Sequence, residues 1–138
     1  MNLILSHSIA LAFGLIIGIF GNYFANRLTA KAVVRDSKSV ERKSFRDVKR
    51  KMPELINEMK VDLNATEMES CREFFILPSK NVCFNFRGLA LMYYENEHAG
   101  LHAKIRILEQ LGFVYDITET NTPRYQFQEN FVGFLLND

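Results

Sequence analysis

The first pattern in the chain is a long apolar segment close to its start. Residues 3–25 contain no Asp, Glu, Lys or Arg, and about 20 apolar residues at helical rise span a bilayer core. A cleaved signal peptide is the alternative, but it has basic residues before the apolar run. Here the basic residues follow the run. The pattern predicts an uncleaved single-pass anchor over residues 1–26, with the N-terminus outside and the rest of the chain cytoplasmic.

Small or polar side chains recur at every fourth position within this predicted anchor. They are Ser6, Ala10, Gly14, Gly18 and Asn22, and the spacing places them on one helix face. A Gly-x-x-x-Gly pair lets two helix backbones approach closely in a membrane. We therefore expect a homo-oligomer or a membrane protein partner to pack there. The alternative is that these glycines reflect only the general abundance of glycine in membrane helices.

A basic stalk follows over residues 27–51, with ten bases against three acids. Bases next to a membrane gain about 1 kcal/mol each near an anionic leaflet. Nucleic-acid binding and a solvated linker are the alternatives, but the stalk has one aromatic residue, Phe45, to stack on bases. We predict contact with anionic lipid. The predicted lipid contacts are Arg27, Lys31, Arg35, Arg42, Lys43, Arg46, Lys49, Arg50 and Lys51.

An apolar stripe runs from the end of the stalk into the next segment. Its members are Phe45, Val48, Met52, Leu55, Ile56, Met59 and Leu63. Steps of three and four residues indicate one face of a helix. Pro53 interrupts the pattern because proline has no backbone donor, and it predicts the start of a second helix. We expect the stripe to pack on the domain that follows; a short coiled coil is the alternative.

The end of the chain predicts a helix followed by a hairpin. Residues 101–111 place Leu101, Ile105 and Leu108 on one face, and Gly112 ends the helix. Residues 113–118 and 124–128 alternate as strands around a polar turn. Residues 129–138 predict a last short helix. A helix and a hairpin in this order are typical of the end of a winged helix.

The segment between these regions is less clear. Thr66 and Glu69 form a capping-box pattern and predict a helix start. Residues 74–77 fit either the buried end of that helix or a short strand, and residues 88–98 fit either type of structure. Val82, Phe84 and Phe86 alternate and predict a strand. The predicted fold class is α+β: a single N-terminal transmembrane helix followed by a small winged-helix-like cytosolic domain over residues 52–138.

Charge argues against the DNA binding that a winged helix suggests. Residues 52–138 contain seven bases against thirteen acids. A DNA-binding protein, in contrast, gains most of its affinity from a basic face. If the domain met DNA, the contacts would come from Lys104, Arg106 and Arg124. Nucleic acid is therefore an unlikely partner, and an unknown cytosolic protein is the predicted one.

No motif in the chain carries recognisable chemistry. Phosphate-binding, dinucleotide-binding and nucleophile-elbow patterns are absent from the sequence. Cys71 and Cys83 lie in apolar runs and predict buried, reduced thiols. His98 and His102 are four apart, but zinc needs a third ligand, so we interpret them as surface residues. We predict no catalytic, cofactor or metal site, and no enzyme.

Residues 51–136 resemble a group of small, largely uncharacterised bacterial membrane-anchored proteins with a winged-helix-like cytosolic domain. The resemblance rests on "KMPELINEMKVDL", "EFFIL", "LMYYENEH", "LHAKIRILEQLGFVYDIT" and "TPRYQFQENFVGFLL". By architecture alone, the chain also resembles prophage superinfection-exclusion proteins. These resemblances imply a place in the bacterial inner membrane and leave the activity open.

The expected function is therefore that of a non-enzymatic single-pass inner-membrane protein. Its cytosolic domain would bind a protein partner, in the setting of phage exclusion or defence. Two alternatives stay open: a membrane-tethered DNA-binding transcription regulator, and an accessory subunit of a membrane complex.

Overall fold

The computed structural model describes residues 35–137, which contain four helices and four strands. Helix α1 covers residues 35–51. The other elements are α2 (Pro53–Asn64), β1 (Glu73–Leu77), β2 (Leu91–Tyr94), α3 (Leu101–Gln110), β3 (Val114–Asp116), β4 (Arg124–Phe127) and α4 (Glu129–Asn137). From Arg42 onward these elements belong to one compact unit.

Helices α1 and α2 are separated by a single residue, Met52. Pro53 begins α2, and its ring removes the backbone donor that would join the two helices into one. The Met52 N–H still donates to the carbonyl of Val48 at 2.9 Å. The apolar stripe is buried on both sides of the break, from Phe45 to Leu63. The predicted second helix and the predicted continuous stripe are confirmed.

The four strands form one mixed sheet in the order β2-β1-β4-β3. Strand β1 pairs in parallel with β2 and antiparallel with β4, so that Phe74 lies between Leu91 and Tyr125. Strands β3 and β4 pair antiparallel, which confirms the hairpin predicted from their alternation. Strands β1 and β4 are therefore central, and β2 and β3 are the edges.

The sheet has a core face towards the helices and an outer face away from them. Phe74 and Ile76 of β1 belong to the main core together with residues of all four helices. Phe75 and Leu77 alternate to the outer face, yet each is only 4% exposed. A strand that is buried on both faces has a continuous run of apolar residues in its sequence. This explains why "EFFIL" shows no alternation of apolar and polar residues.

Residues 78–90 connect the parallel strands without a helix or strand of their own. This segment lies on the outer face, where the rings of Phe84 and Phe86 are 4.7 and 4.8 Å from that of Phe75. Gly88 has φ of 153°, and a Cβ there would lie 2.8 Å from the Phe86 ring. The strand predicted from Val82 to Phe86 is wrong, because Phe84 and Phe86 pack on the sheet without strand pairing and Val82 is exposed.

An aromatic cluster joins α1 to the C-terminal half of the domain. The ring of Phe45 lies 5.3 Å from Phe134, 5.9 Å from Phe131 and 6.5 Å from Phe113. Phe113 and Phe131 are stacked at 4.9 Å. Edge-to-face and offset pairs of this kind add stability beyond the area they bury. The cluster fixes α1 against α4 and the start of β3.

Helix α3 ends as its sequence predicts. Gly112 has φ of 71°, a left-handed conformation that side chains with a Cβ rarely adopt. The N–H groups of Gly112 and Phe113 donate to the carbonyls of Glu109 and Leu108. These bonds satisfy the last helix carbonyls and direct the chain into β3, so the predicted role of Gly112 is confirmed.

The described residues form an α+β fold, but the winged-helix-like architecture predicted from the sequence is wrong. A wing is a hairpin at the side of a helical domain, whereas here β4 pairs on both sides and the hairpin completes a four-stranded mixed sheet. None of the helices within residues 35–137 combines the length and the apolar character needed to cross a bilayer. The predicted anchor over residues 1–26 lies outside the described residues.

Two smaller predictions also need correction. Thr66 starts no helix, because residues 66–70 form turns and β1 follows them. Of the two cysteines, Cys71 is buried as predicted but Cys83 is exposed, because it lies in the irregular segment 78–90.

Core burial on α2 gives a direct test of this packing. Leu55 is fully buried and Val61, on the same helix, is 60% exposed. Leu55→Ala should lower the free energy of unfolding by about 2–5 kcal/mol, because it leaves a cavity in the core. Val61→Ala should change it by less than about 0.5 kcal/mol. Urea unfolding followed by circular dichroism measures both, and equal losses would contradict the placement of α2.

Candidate functional site

Helix α1 carries five bases along one exposed side, called here the basic stripe. Its members are Arg42, Lys43, Arg46, Lys49 and Arg50, all exposed. Spacings of three and four residues place such side chains next to one another on a helix. The side of α1 that faces the domain buries Phe45 and Val48 to 3% and 2% exposure. The stripe therefore has a fixed direction relative to the domain.

The stripe has a strong net positive charge. Between Arg42 and Lys51 there are six bases and one acid, Asp47. Asp47 accepts a hydrogen bond from Arg50 at 2.9 Å, but both side chains are largely exposed, at 46% and 78%. An exposed pair of this kind contributes roughly 0–1 kcal/mol. The segment from Arg42 to Lys51 therefore keeps a formal net charge of +5, six bases less one acid.

A groove lies beside the stripe, between α1, α2 and the end of α4. Its volume is about 310 Å³, and it is lined by Phe45, Lys49, Pro53, Ile56, Asn57, Lys60 and Leu135. The apolar floor is almost fully buried, with Phe45, Ile56 and Leu135 between 1% and 3% exposed. The accessible lining is nevertheless mainly apolar, and its polar members are Lys49, Asn57 and Lys60.

A buried polar cluster lies on the other side of α2. His98 is 5% exposed, and its Nε2 is hydrogen-bonded to the Glu58 carboxylate. Within residues 35–137, His98 Nδ1 and the Tyr93 hydroxyl are buried and make no hydrogen bond. The pair ties the turn before α3 to α2. It makes His98 a buried structural residue, and the interpretation of His98 as a surface residue is wrong.

Glu58 and Asp62 of α2 affect the pKa values of the groups in this cluster. Burial raises the pKa of Asp62 above its ordinary value, and the negative charge of Glu58 raises it further. Burial also raises the pKa of Tyr93 well above its usual range, and Asp62 and Glu58 add to the effect. The Tyr93 hydroxyl is close enough to Asp62 to affect its pKa, but their geometry falls outside that of an ordinary hydrogen bond.

The remaining charged residues near this turn are paired with one another. Lys80 lies 2.6 Å from Glu97 and 5.3 Å from the Tyr94 ring centroid. His102 bonds Glu95 at 2.9 Å and is thus directed to a different acid from His98. In the part of the chain that the structure describes, no three His, Cys, Asp or Glu side chains are close enough to hold a metal ion.

The three bases assigned to DNA in the alternative interpretation lie on different sides of the domain. Lys104 and Arg106 belong to α3, which packs on the core face. Arg124 points to the outer face, where its Nε donates to Glu73 at 3.1 Å. Its guanidinium lies 5.5 Å from the Phe75 ring and 5.3 Å from the Phe86 ring. The structure does not bring these three bases together.

The structure places only part of the predicted lipid-contact set. Arg35 is exposed at the first described position, and the six predicted bases from Arg42 to Lys51 are exposed on α1. Lys51 projects from a different side of the helix, since it lies nine residues after Arg42. The predicted residues outside the described part are Ser6, Ala10, Gly14, Gly18, Asn22, Arg27 and Lys31.

Two features of the surface are not evident from the sequence. The groove needs residues from three helices, and no local pattern relates Lys60 to Leu135. The Glu58–His98 pair joins α2 to the turn before α3, far apart in the chain. The sequence gives a partial signal for this pair. Glu58 directly precedes Met59 of the buried apolar stripe, so its side chain is expected to lie beside the face of α2 that packs on the domain.

No protein-family model, curated protein or solved structure matches this chain. The resemblance to small bacterial membrane-anchored proteins therefore stays a prediction.

Two aspartates with opposite pKa shifts give a pH test. The raised pKa of Asp62 means that its charged form destabilises the fold above the ordinary pKa of 3.8. Asp62→Asn should therefore raise the melting temperature at neutral pH. This gain should vanish as the pH falls below 3.8, because Asp62 is then protonated in both states.

Asp116 is the matched control. Hydrogen bonds from the Thr118 side chain and backbone lower the pKa of Asp116, so its charged form stabilises the fold. Asp116→Asn should lower the melting temperature at neutral pH, and the loss should disappear as the pH falls through the folded-state pKa of Asp116. Thermal denaturation followed by circular dichroism measures both variants. Shifts in the same direction at neutral pH would contradict the two assignments.

Proposed function

We propose that this chain is a binding protein rather than an enzyme, and that it docks on an anionic membrane surface through the basic stripe of α1. The observation that carries the proposal is the fixed direction of the stripe. Phe45 and Val48 are buried in the core, so the opposite side of α1 meets the surroundings as a rigid row of bases.

Rigidity matters because attraction to a charged surface acts over a short distance. A base close to an anionic leaflet gains about 1 kcal/mol, and the effect is screened over roughly 8 Å at physiological salt. From Arg42 to Arg50 the stripe extends about 12 Å at helical rise. Its bases can therefore all approach a flat surface within the screening distance at the same time.

The charge of the remaining domain supports one orientation on such a surface. Residues 52–138 contain thirteen acids and seven bases, so an anionic surface repels most of the domain and attracts α1. Nucleic acid is the competing anionic partner. Single strands bind through exposed aromatic rings as well as bases, and the aromatic residue of this part of α1, Phe45, is buried.

Docked in this way, the domain offers the edges of its outer sheet face, which segment 78–90 does not cover, to a protein partner. Tyr115 on the edge strand β3 is 50% exposed, and Met92 and Tyr94 on β2 are half-buried. Tyrosine and methionine are enriched in protein interfaces. The inner-membrane location, the setting of phage exclusion or defence and the identity of the partner stay predictions from the sequence.

Vesicle binding tests the proposal on residues 35–138, which contain the compact unit from Arg42 onward and omit the predicted anchor, since an anchor would hold the protein in vesicles of any charge. We expect tighter binding to phosphatidylcholine vesicles that contain phosphatidylglycerol than to phosphatidylcholine alone, with a difference that shrinks as salt rises. The triple variant Arg42→Gln, Lys43→Gln, Arg46→Gln should lose roughly a hundredfold in affinity for the anionic vesicles, since it removes three contacts of about 1 kcal/mol. Co-sedimentation measures the bound fraction.

The matched control removes three bases from other parts of the domain. Arg87→Gln, Lys104→Gln and Arg106→Gln together change the net charge equally and should leave the affinity within about threefold. Vesicle binding that does not depend on the charge of the lipid would refute the proposal. An equal loss in both triple variants would also refute it, because net charge and not the stripe would then control binding.

A further inference from the structure

We infer that the outer face of β1, which segment 78–90 covers, is a docking site for an extended peptide with two aromatic side chains two residues apart. Segment 78–90 occupies this site within the chain and has to leave it before a partner binds. The inference rests on the proposed function in one respect, the expectation of a protein partner, and it names the kind of segment that this partner presents.

The backbone of segment 78–90 contributes little to holding it on the sheet. Among the described residues, the one backbone-to-backbone hydrogen bond of residues 79–89 joins the N–H of Val82 to the carbonyl of Ser79 at 3.3 Å. The carbonyl of Leu89 also accepts a hydrogen bond from the Cys71 thiol at 3.6 Å. Segments with few hydrogen bonds open at a lower free energy than the whole domain. Opening of this segment would leave the strand pairing intact.

Two aromatic rings attach the segment to the sheet. Phe84 and Phe86 are half-buried, and their ring centroids lie 4.7 and 4.8 Å from that of Phe75. Asn85 between them is exposed, and residues 83–87 contain no helix or turn. In an extended chain, side chains two residues apart point to the same side. The segment therefore shows what this face accepts, which is an extended chain with aromatic rings at positions i and i+2.

Arg124 completes the site from the neighbouring strand β4. Its guanidinium lies 5.3 Å from the Phe86 ring centroid and 5.5 Å from that of Phe75, and its Nε donates to Glu73. A guanidinium over the face of an aromatic ring is attracted by that ring. The site thus combines an apolar floor with a cation that favours an aromatic side chain over an aliphatic one.

Opening of the segment uncovers an apolar surface at the centre of the sheet. Phe75 is 4% exposed while Phe84 and Phe86 lie against it. Its strand pairs with β2 on one side and β4 on the other, so this floor keeps its position when the segment leaves. An aromatic side chain of a partner gains from both apolar burial and ring contacts on such a surface.

The covered state depends on one glycine. Gly88 has φ of 153°, and a Cβ at this position would lie 2.8 Å from the Phe86 ring. Residues with a side chain rarely adopt this backbone conformation. A substitution at Gly88 therefore strains the covered state without removing either ring.

A synthetic peptide of the segment itself tests the site. A labelled peptide of residues 79–90 with Cys83→Ser is titrated with full-length protein and followed by fluorescence anisotropy. The variant Phe84→Ala, Phe86→Ala should bind this peptide at least about tenfold more tightly than the wild-type protein, because its own segment no longer competes for the site. Equal affinity of the two proteins, or no binding to either, would overturn the inference.

The matched control removes two exposed apolar side chains from the same segment. Val82→Ala with Leu89→Ala keeps both rings and should bind the peptide within about threefold of the wild-type affinity. Gly88→Ala also keeps both rings but strains the covered state, so it should bind more tightly than the wild-type protein. An equal gain in the control variant, or no gain in Gly88→Ala, would contradict the role of the segment as a cover. Circular dichroism checks that all variants keep the wild-type helix content.

Two further substitutions locate the bound peptide on β1. In the variant that lacks both segment rings, Phe75→Leu should weaken peptide binding about fivefold, because it removes the ring contacts and keeps an apolar floor. Tyr115→Leu on the edge strand β3 should leave the affinity within about twofold. A peptide in which Phe84 and Phe86 are replaced by alanine should not bind. Equal losses in the two protein variants, or binding of the altered peptide, would refute the site.

The two proposals fail in different ways. The peptide titration contains no anionic vesicle, so failure of the peptide to bind leaves membrane docking by the basic stripe intact. Vesicle binding that does not depend on lipid charge refutes the stripe and leaves the peptide site on β1 intact.

Discussion

The ring of Phe45 holds the basic helix α1 against the C-terminal half of the domain. It contacts Phe113, Phe131 and Phe134, which belong to the approach to β3 and to α4. Burial of one such side chain contributes roughly 1.5–3 kcal/mol, and the cluster joins a helix rich in lysine and arginine to a domain rich in acids. Without these contacts α1 would be a solvated basic segment with no fixed direction. With these ring contacts, the positive charges of α1 form a surface that has a fixed direction relative to the domain.

The outer face of the sheet shows how the same domain covers a strand that has no helix above it. Arg124 lies against Phe75 and Phe86 and donates to Glu73. Phe84 closes the other side of the Phe75 ring. An arginine stem covers apolar surface while its charged head stays paired. The segment 78–90 therefore takes the place that a crossover helix has in most parallel pairs, and it leaves the β3 edge uncovered.

The sequence predicted the elements with strong local periodicity and missed the pairing between them. Helices α2 and α3, the role of Gly112 and the hairpin follow from patterns within ten or twenty residues. The parallel pairing of β1 with β2, and the insertion of β1 beside β4, depend on contacts across the chain that no local pattern records. The basic stripe could be predicted from charge alone. The groove could not, because Lys49, Lys60 and Leu135 converge only after three helices have packed.

The central position of β4 in the sheet has a consequence for how the domain folds during its synthesis. Strand β1 has β2 on one side, but its other side stays open until Arg124–Phe127 is available. Helix α4, which completes the ring cluster around Phe45, comes later still. A growing chain therefore carries an apolar strand with one side unpaired while residues 78–123 are synthesised. A chain that stopped before β4 would expose an edge prone to aggregation.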